Sequence, residues 1–167
     1  TSENFNATYL ALTPTEFWNR WHITLSTWLR DYIFFPLRRA LLRSKMQLPG
    51  WLVNALPPLV TMLVSGIWHG AGWMYVLWGG LFGLLIVIYQ MLGMGGAWKP
   101  AHWWTRFLAW LVMFSLVAFL FTIFRATSLD WAFRLFTAPF AGSQPQQAVA
   151  VVTLSLTAFY TLPLVIK

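Results

Sequence analysis

Two hydrophobic patterns divide the chain. From Thr13 to Lys45 apolar and polar residues recur with a helical period, and from Trp51 onward long apolar runs alternate with short polar breaks. In the first region, Thr13-Pro14-Thr15-Glu16 supplies an N-cap hydroxyl, a proline at the first helical position and a carboxylate three residues after the cap. A helix is predicted to begin there. Wound at about 100° per residue, Trp18, Trp21, Leu25, Trp28, Leu29 and Tyr32 share one stripe, while Arg20, Thr24, Thr27, Arg30 and Asp31 lie opposite. This is the pattern of an interfacial or re-entrant helix. His22 falls at the edge of the apolar stripe. Pro36 is predicted to end the run before the basic cluster Arg38, Arg39, Arg43 and Lys45.

Four apolar segments follow, 51–68, 73–92, 107–124 and 147–166, each near the ~20 residues that a spanning helix needs. The fold class is therefore all-α: a polytopic helical membrane-protein fragment with four spanning or partly spanning helices and one interfacial or re-entrant region over 13–45. Pro57-Pro58 is predicted to break the first span and leave about ten residues, or ~15 Å, before His69. His69 is then expected at membrane depth in an irregular stretch, which is tolerated where backbone is buried in protein or lines a hydrated cavity. Gly93, Gly95 and Gly96 with Pro100 mark a loop, His102-Trp103-Trp104 an interfacial aromatic belt, and 141–147 a second loop.

Composition excludes a soluble domain: 59% of residues are hydrophobic, 19% aromatic and only 9% charged, with a mean hydropathy of +0.63. Between Lys45 and Lys99 there is no Asp, Glu, Lys or Arg, so membrane lipid is the expected surrounding. The net charge of +7 does not point to nucleic acid, because six of the eleven cations cluster between Arg20 and Lys45. That clustering reads as a cytoplasmic loop. Two crossings then return Lys99 and Arg106 to the cytoplasm, a third puts Arg125, Asp130 and Arg134 outside, and a fourth returns Lys167. The absence of cysteine excludes thiolate metal sites and a cysteine nucleophile within these residues. Thr1 and Lys167 read as cuts within a longer chain, without a signal peptide at the start.

Candidate chemistry concentrates on His69. It lies in Gly66-Ile67-Trp68-His69-Gly70-Ala71-Gly72-Trp73, where glycines clear space around one imidazole and two tryptophans flank it. An ionisable residue inside a span is expensive to bury, so function is the default reading, with a hydrogen-bonded structural histidine as the alternative. A neutral imidazole suits general-base work, accepting a hydroxyl proton, and acyl transfer from a thioester to an alcohol needs little else. Backbone N–H groups near Gly70 and Gly72, or an indole N–H, are candidate oxyanion donors. His22 is the second candidate; its alternative is a ring that reaches the headgroup layer. For Arg30-Asp31 the alternative is a solvated pair at a helix end, and His102 reads as a belt residue. No phosphate loop, carboxylate pair or zinc spacing is present, so no metal is expected. Two further readings stay open: a conduit in which His69 only lines a path, and a haem held by His22 and His69.

Three blocks then occur in order: FWNRWHITLSTWLRDYIFFPLRR, VSGIWHGAGWMYVLWGGLFGLLIVIYQ and FTIFRATSLDWAFRLF. Together they resemble the membrane-bound O-acyltransferase family, in the branch of alginate biosynthesis, from Asn4-Phe5-Asn6 to Phe136. The resemblance implies that His69 matches the family's catalytic histidine and His22 the second histidine of this bacterial branch, with Trp68, Gly70, Arg30 and Asp31 near substrate. It further implies residence in the bacterial cytoplasmic (inner) membrane and acetyl transfer from acetyl-CoA or a related thioester, with no bound cofactor. The acceptor would be an extracytoplasmic polysaccharide, or a periplasmic or surface acyl-carrying protein. Full-length members carry more helices ahead of this region, so the fragment 1–167 is expected to be inactive alone. The chain departs from the family pattern at Thr8, usually proline, and at Arg38-Arg39-Ala40, where a Gly-Gly-Asn turn is usual.

Overall fold

A computed structural model describes residues 3–45, 48–96 and 98–141. Among these, every regular element is a helix. A short 3₁₀ turn (Thr8–Leu10) leads to α1 (Pro14–Arg20) and α2 (Ile23–Leu29); a π-helical turn (Arg30–Phe34) runs on into α3 (Phe35–Arg43). Then come α4 (Gly50–His69), α5 (Trp73–Met91), α6 (Trp103–Arg125) and α7 (Leu129–Ala141). The chain divides into two compact units, Thr1–Phe124 and Arg125–Lys167. In the second, α7 is capped by Ser128 Oγ, which accepts from Trp131 N, and Arg134 pairs with Asp130 at 2.8 Å. The predicted span 147–166 and the loop after Ala141 lie outside the described residues.

Helices α4, α5 and α6 are each long and apolar enough to cross a membrane, and fewer than half of the residues in the apolar stretch of each are buried against the rest of the described chain. They match three predicted spans, with α6 starting a turn earlier than expected. The Thr13 cap forms as read: its hydroxyl accepts from Glu16 N at 3.1 Å. Glu16 reaches back to Leu12 N at 2.8 Å and also holds Arg20 at 2.7 Å.

Three expectations are revised. The predicted helix from Thr13 is interrupted at Trp21-His22, where Trp21 is extended and His22 is left-handed with φ 43°. The segment 4–8 takes up the backbone groups this break releases. Asn6 N and Thr8 Oγ1 donate to Arg20 O, while Asn4 accepts Ile23 N on its carbonyl and Thr24 N on its side chain. Tertiary partners thus overrule the helical period. The predicted stripe splits accordingly: Trp18 and Trp21 pack on the core, whereas Trp28 and Tyr32 stack on each other at 5.5 Å and stay exposed.

Pro36 does not end the helix. The Phe35 N–H reaches the Arg30 carbonyl in the wider π turn, and that extra residue per turn relieves the clash of a proline ring with the preceding turn. Nor does Pro57-Pro58 break α4, which runs unbroken for 20 residues with both prolines buried. The carbonyls that the two rings deprive of a helical donor are those of Val53 and Asn54; just beyond them Thr61 Oγ1 donates to the Pro57 carbonyl at 2.6 Å. The irregular backbone comes after His69, not before it.

Helices α4 and α5 form an antiparallel hairpin closed by Gly70-Ala71-Gly72. They touch backbone to backbone: a Cβ at Gly66 would run into the Tyr75 carbonyl and one at Gly79 into the Met62 carbonyl. Small residues allow this approach where lipid offers no hydrophobic gain from association. Trp78 and Phe82 project from α5 into a core with Phe17 of α1 and Met113, Val117, Leu120 and Ile123 of α6. Overpacking costs about 1–3 kcal/mol, so Gly79→Ala should destabilise the membrane-extracted protein by about that much. Gly80→Ala, which meets only Leu63 Cδ2 at 3.6 Å, should be neutral; thermal unfolding of both variants in detergent checks the pair.

Candidate active site

His69 is the last residue of α4, and Gly70 turns the chain away immediately after it with φ 157°. A Cβ at Gly70 would sit 2.7 Å from the Tyr75 ring, so the turn fits only without a side chain. Three rings stand nearly perpendicular to the imidazole: Trp68 at 4.9 Å, Phe124 at 5.0 Å and Trp78 at 5.5 Å. Edge-to-face contacts of this kind fix a ring's orientation as well as its position. Tyr75 backs Phe124 at 5.0 Å. His69 itself is half-buried, Trp68 is 58% exposed and Trp78 only 1%, so the imidazole has one open side and one closed side.

His22 occupies the αL corner between α1 and α2. Its Nδ1 lies 3.5 Å from the Asn4 amide nitrogen, and its ring leans on Phe5. The direct neighbours of His22 and His69 differ. An aromatic wall runs between them: Trp21 meets Phe121 at 5.2 Å, Phe121 meets Phe124 at 6.2 Å, and Phe124 meets His69.

The other expected site residues lie elsewhere. Arg30 and Asp31 form a half-exposed pair at 3.6 Å, and Arg30 also reaches Thr27 Oγ1 at 3.5 Å. Arg30 borders a cavity of about 380 Å³ between α1, α2, α4 and α5, walled by Thr15, Asn19, Ser26 and Thr27 among others. Neither histidine is on that wall. The Gly70 N–H donates to the Ile67 carbonyl at 3.2 Å and so is not free for an oxyanion. The indole N–H of Trp78 is buried and unpartnered, as are those of Trp18 and the Ser65 hydroxyl one helical turn before His69. His102 stacks on Trp104 at 6.0 Å beside exposed Trp103, as a belt residue would. Two supporting residues escaped the sequence reading: Asn4, whose signal was its place in the Asn4-Phe5-Asn6 start of the resemblance, and Phe124, for which spacing gave none.

The described residues thus make a polytopic helical membrane protein with one imidazole held on a glycine turn among aromatic rings. Comparison with known proteins makes this specific. The model of the MBOAT, membrane-bound O-acyltransferase family matches residues 2–131, and the chain belongs to that family. It is 39% identical over 142 residues to the probable alginate O-acetylase AlgI of Azotobacter vinelandii, covering 83% of this chain and 26% of that protein. It is also 33% identical over 133 residues to the peptidoglycan O-acetyltransferase of Helicobacter pylori, covering 79% of this chain and 24% of that one. With the teichoic acid D-alanyltransferase of Bacillus subtilis it shares 31% identity over 125 residues, 73% of this chain and 32% of the relative. The chain thus spans about a quarter to a third of the length of these relatives.

The αL corner gives a direct test. Asn adopts this conformation readily, whereas a β-branched residue there costs about 1–2 kcal/mol. His22→Asn should retain the fold, and His22→Ile should unfold several degrees lower in the same thermal scan.

Proposed function

We propose that the protein to which this chain belongs is an O-acetyltransferase of the cytoplasmic (inner) membrane, with His69 as its general base. It moves acetyl from a cytoplasmic thioester, acetyl-CoA or a related donor, to a hydroxyl of an extracytoplasmic polysaccharide or of an acyl-carrying partner. The observation that carries this reading is the fixed, half-open imidazole of His69, supported by membership of the family and by relatives named for acyl transfer to alginate, peptidoglycan and teichoic acid.

In this reading the acceptor oxygen attacks the thioester carbonyl carbon as His69 takes the hydroxyl proton. The carbonyl electron pair moves onto oxygen and then returns as the carbon–sulfur bond breaks. The leaving thiolate recovers the proton from the imidazolium, so the base is regenerated. His22 acts as a positioning residue beside this centre. Arg30 borders the cavity of about 380 Å³, whose largely apolar wall with a few hydroxyl and amide groups suits the arm of an acyl donor.

A second reading is an acyl conduit serving a partner enzyme, in which the half-open His69 only lines the path. His69→Gln separates the two. General-base catalysis is worth about 10²–10⁴-fold, so ester-linked acetyl on the host's polysaccharide should fall by at least about a hundredfold in the complete protein at normal membrane levels. Wild-type acetylation in that variant would leave the conduit reading.

A further inference from the structure

A second cavity, of about 400 Å³, lies away from both histidines, where the ends of α4 and α5 meet the start of α3. Arg38 stands on its wall with the amides of Asn54 and Gln90, and Trp51, Val87 and Met91 make the rest of it largely apolar. Trp51 and Met91 are also among the most exposed apolar residues, at 66% and 77%, so the apolar wall continues onto the outer surface of the spanning helices. A cation, two carboxamides, an indole and aliphatic side chains at the ends of two membrane helices match the layers of a phospholipid from phosphate to acyl chain.

Charge supports the same occupant. Arg38, Arg39, Arg43 and Lys45 fall within α3 and its end, and the sequence has no Asp or Glu between Asp31 and Asp130. Asp31 itself pairs with Arg30. Helices α4, α5 and α6 therefore offer α3 no carboxylate, and among the described residues Arg38 makes no ion pair. Anionic lipid headgroups supply the opposite charge that such a cluster beside membrane helices attracts. The Asn54 carboxamide brings an acceptor and two donors to the same wall. A headgroup with hydroxyl groups beside its phosphate complements them.

The geometry points to a binding site for an anionic phospholipid with a hydroxyl-bearing headgroup, of the phosphatidylglycerol class, with its phosphate on Arg38. Neither histidine lines the site, which shares Phe34 and Gln90 with the cavity that Arg30 borders. It is tested by native mass spectrometry of the complete protein titrated with phosphatidylglycerol or phosphatidylcholine, comparing wild type with Arg38→Gln, Asn54→Leu and Arg39→Gln, the last outside the cavity. Wild type and Arg39→Gln should retain phosphatidylglycerol in preference to phosphatidylcholine. Loss of a charge-assisted phosphate contact should weaken that retention at least about tenfold in Arg38→Gln. Asn54→Leu, which keeps every charge, should weaken it too. Equal retention by Arg38→Gln and Arg39→Gln, or by both lipids, overturns the site. Displacement of the lipid by inorganic phosphate or acetyl-CoA also overturns it, assigning the cavity to a soluble phosphate compound. If Arg38→Gln fails to fold, unchanged retention in folded Asn54→Leu is the overturning result.

Discussion

Where α4 crosses α5, Gly66 and Gly79 present bare backbone to the carbonyls of Tyr75 and Met62, and the rest of the unit depends on that approach. In lipid, helices gain little by hiding apolar side chains from one another, so shape decides whether they pair. A backbone contact at this crossing leaves the large side chains of α5 nowhere to go but sideways. Trp78 and Phe82 accordingly pack against α1 and α6, and Trp78 comes to lie beside His69. The tight Gly70 turn belongs to the same arrangement, since it closes the hairpin over Tyr75 and leaves the imidazole at its end.

From that crossing the aromatic side chains form a connected framework rather than a loose apolar filling. Phe17 stacks on Phe82 at 5.7 Å and on Trp21 at 5.8 Å, and Trp21 passes the contact to Phe121. The residue after Trp21 is His22, so the same wall that cages His69 also anchors the corner that presents the second histidine. The N-terminal strap completes the corner with hydrogen bonds from Asn4, Asn6 and Thr8. Buried donors without partners, the Trp78 and Trp18 N–H groups and the Ser65 hydroxyl, sit within or next to this framework. Such groups cost about 1–3 kcal/mol each when left unsatisfied.

The apolar runs made α4, α5 and α6 legible, because length and continuous hydropathy are properties of the segment itself. The Thr13 cap was legible for the same reason. Trp18, Trp21 and Tyr32 looked like one stripe, but the stripe assumed an unbroken helix, and the break at His22 depends on residues 4–8 that are distant in helical register. Pro36 and Pro57-Pro58 were read as stops from the chemistry of proline alone; a π turn accommodates the first, and the second pair lies buried inside an unbroken α4. At the site, the glycines around His69 signalled a crowded turn correctly, yet nothing in their spacing indicated Phe124 or the perpendicular cage. Arg30-Asp31 lay near the histidines in sequence order and borders a different cavity in space.

The central claim is that His69 performs the proton transfer and that His22 acts through it. The most direct measurement is a double-mutant cycle on turnover of the complete purified protein, with an acetyl thioester and an oligosaccharide acceptor, using His69→Gln, His22→Gln and the pair. Groups that act as one unit give strongly non-additive losses. The account predicts that the double variant is no slower than His69→Gln alone. Losses that multiply, or wild-type turnover in His69→Gln, would contradict it.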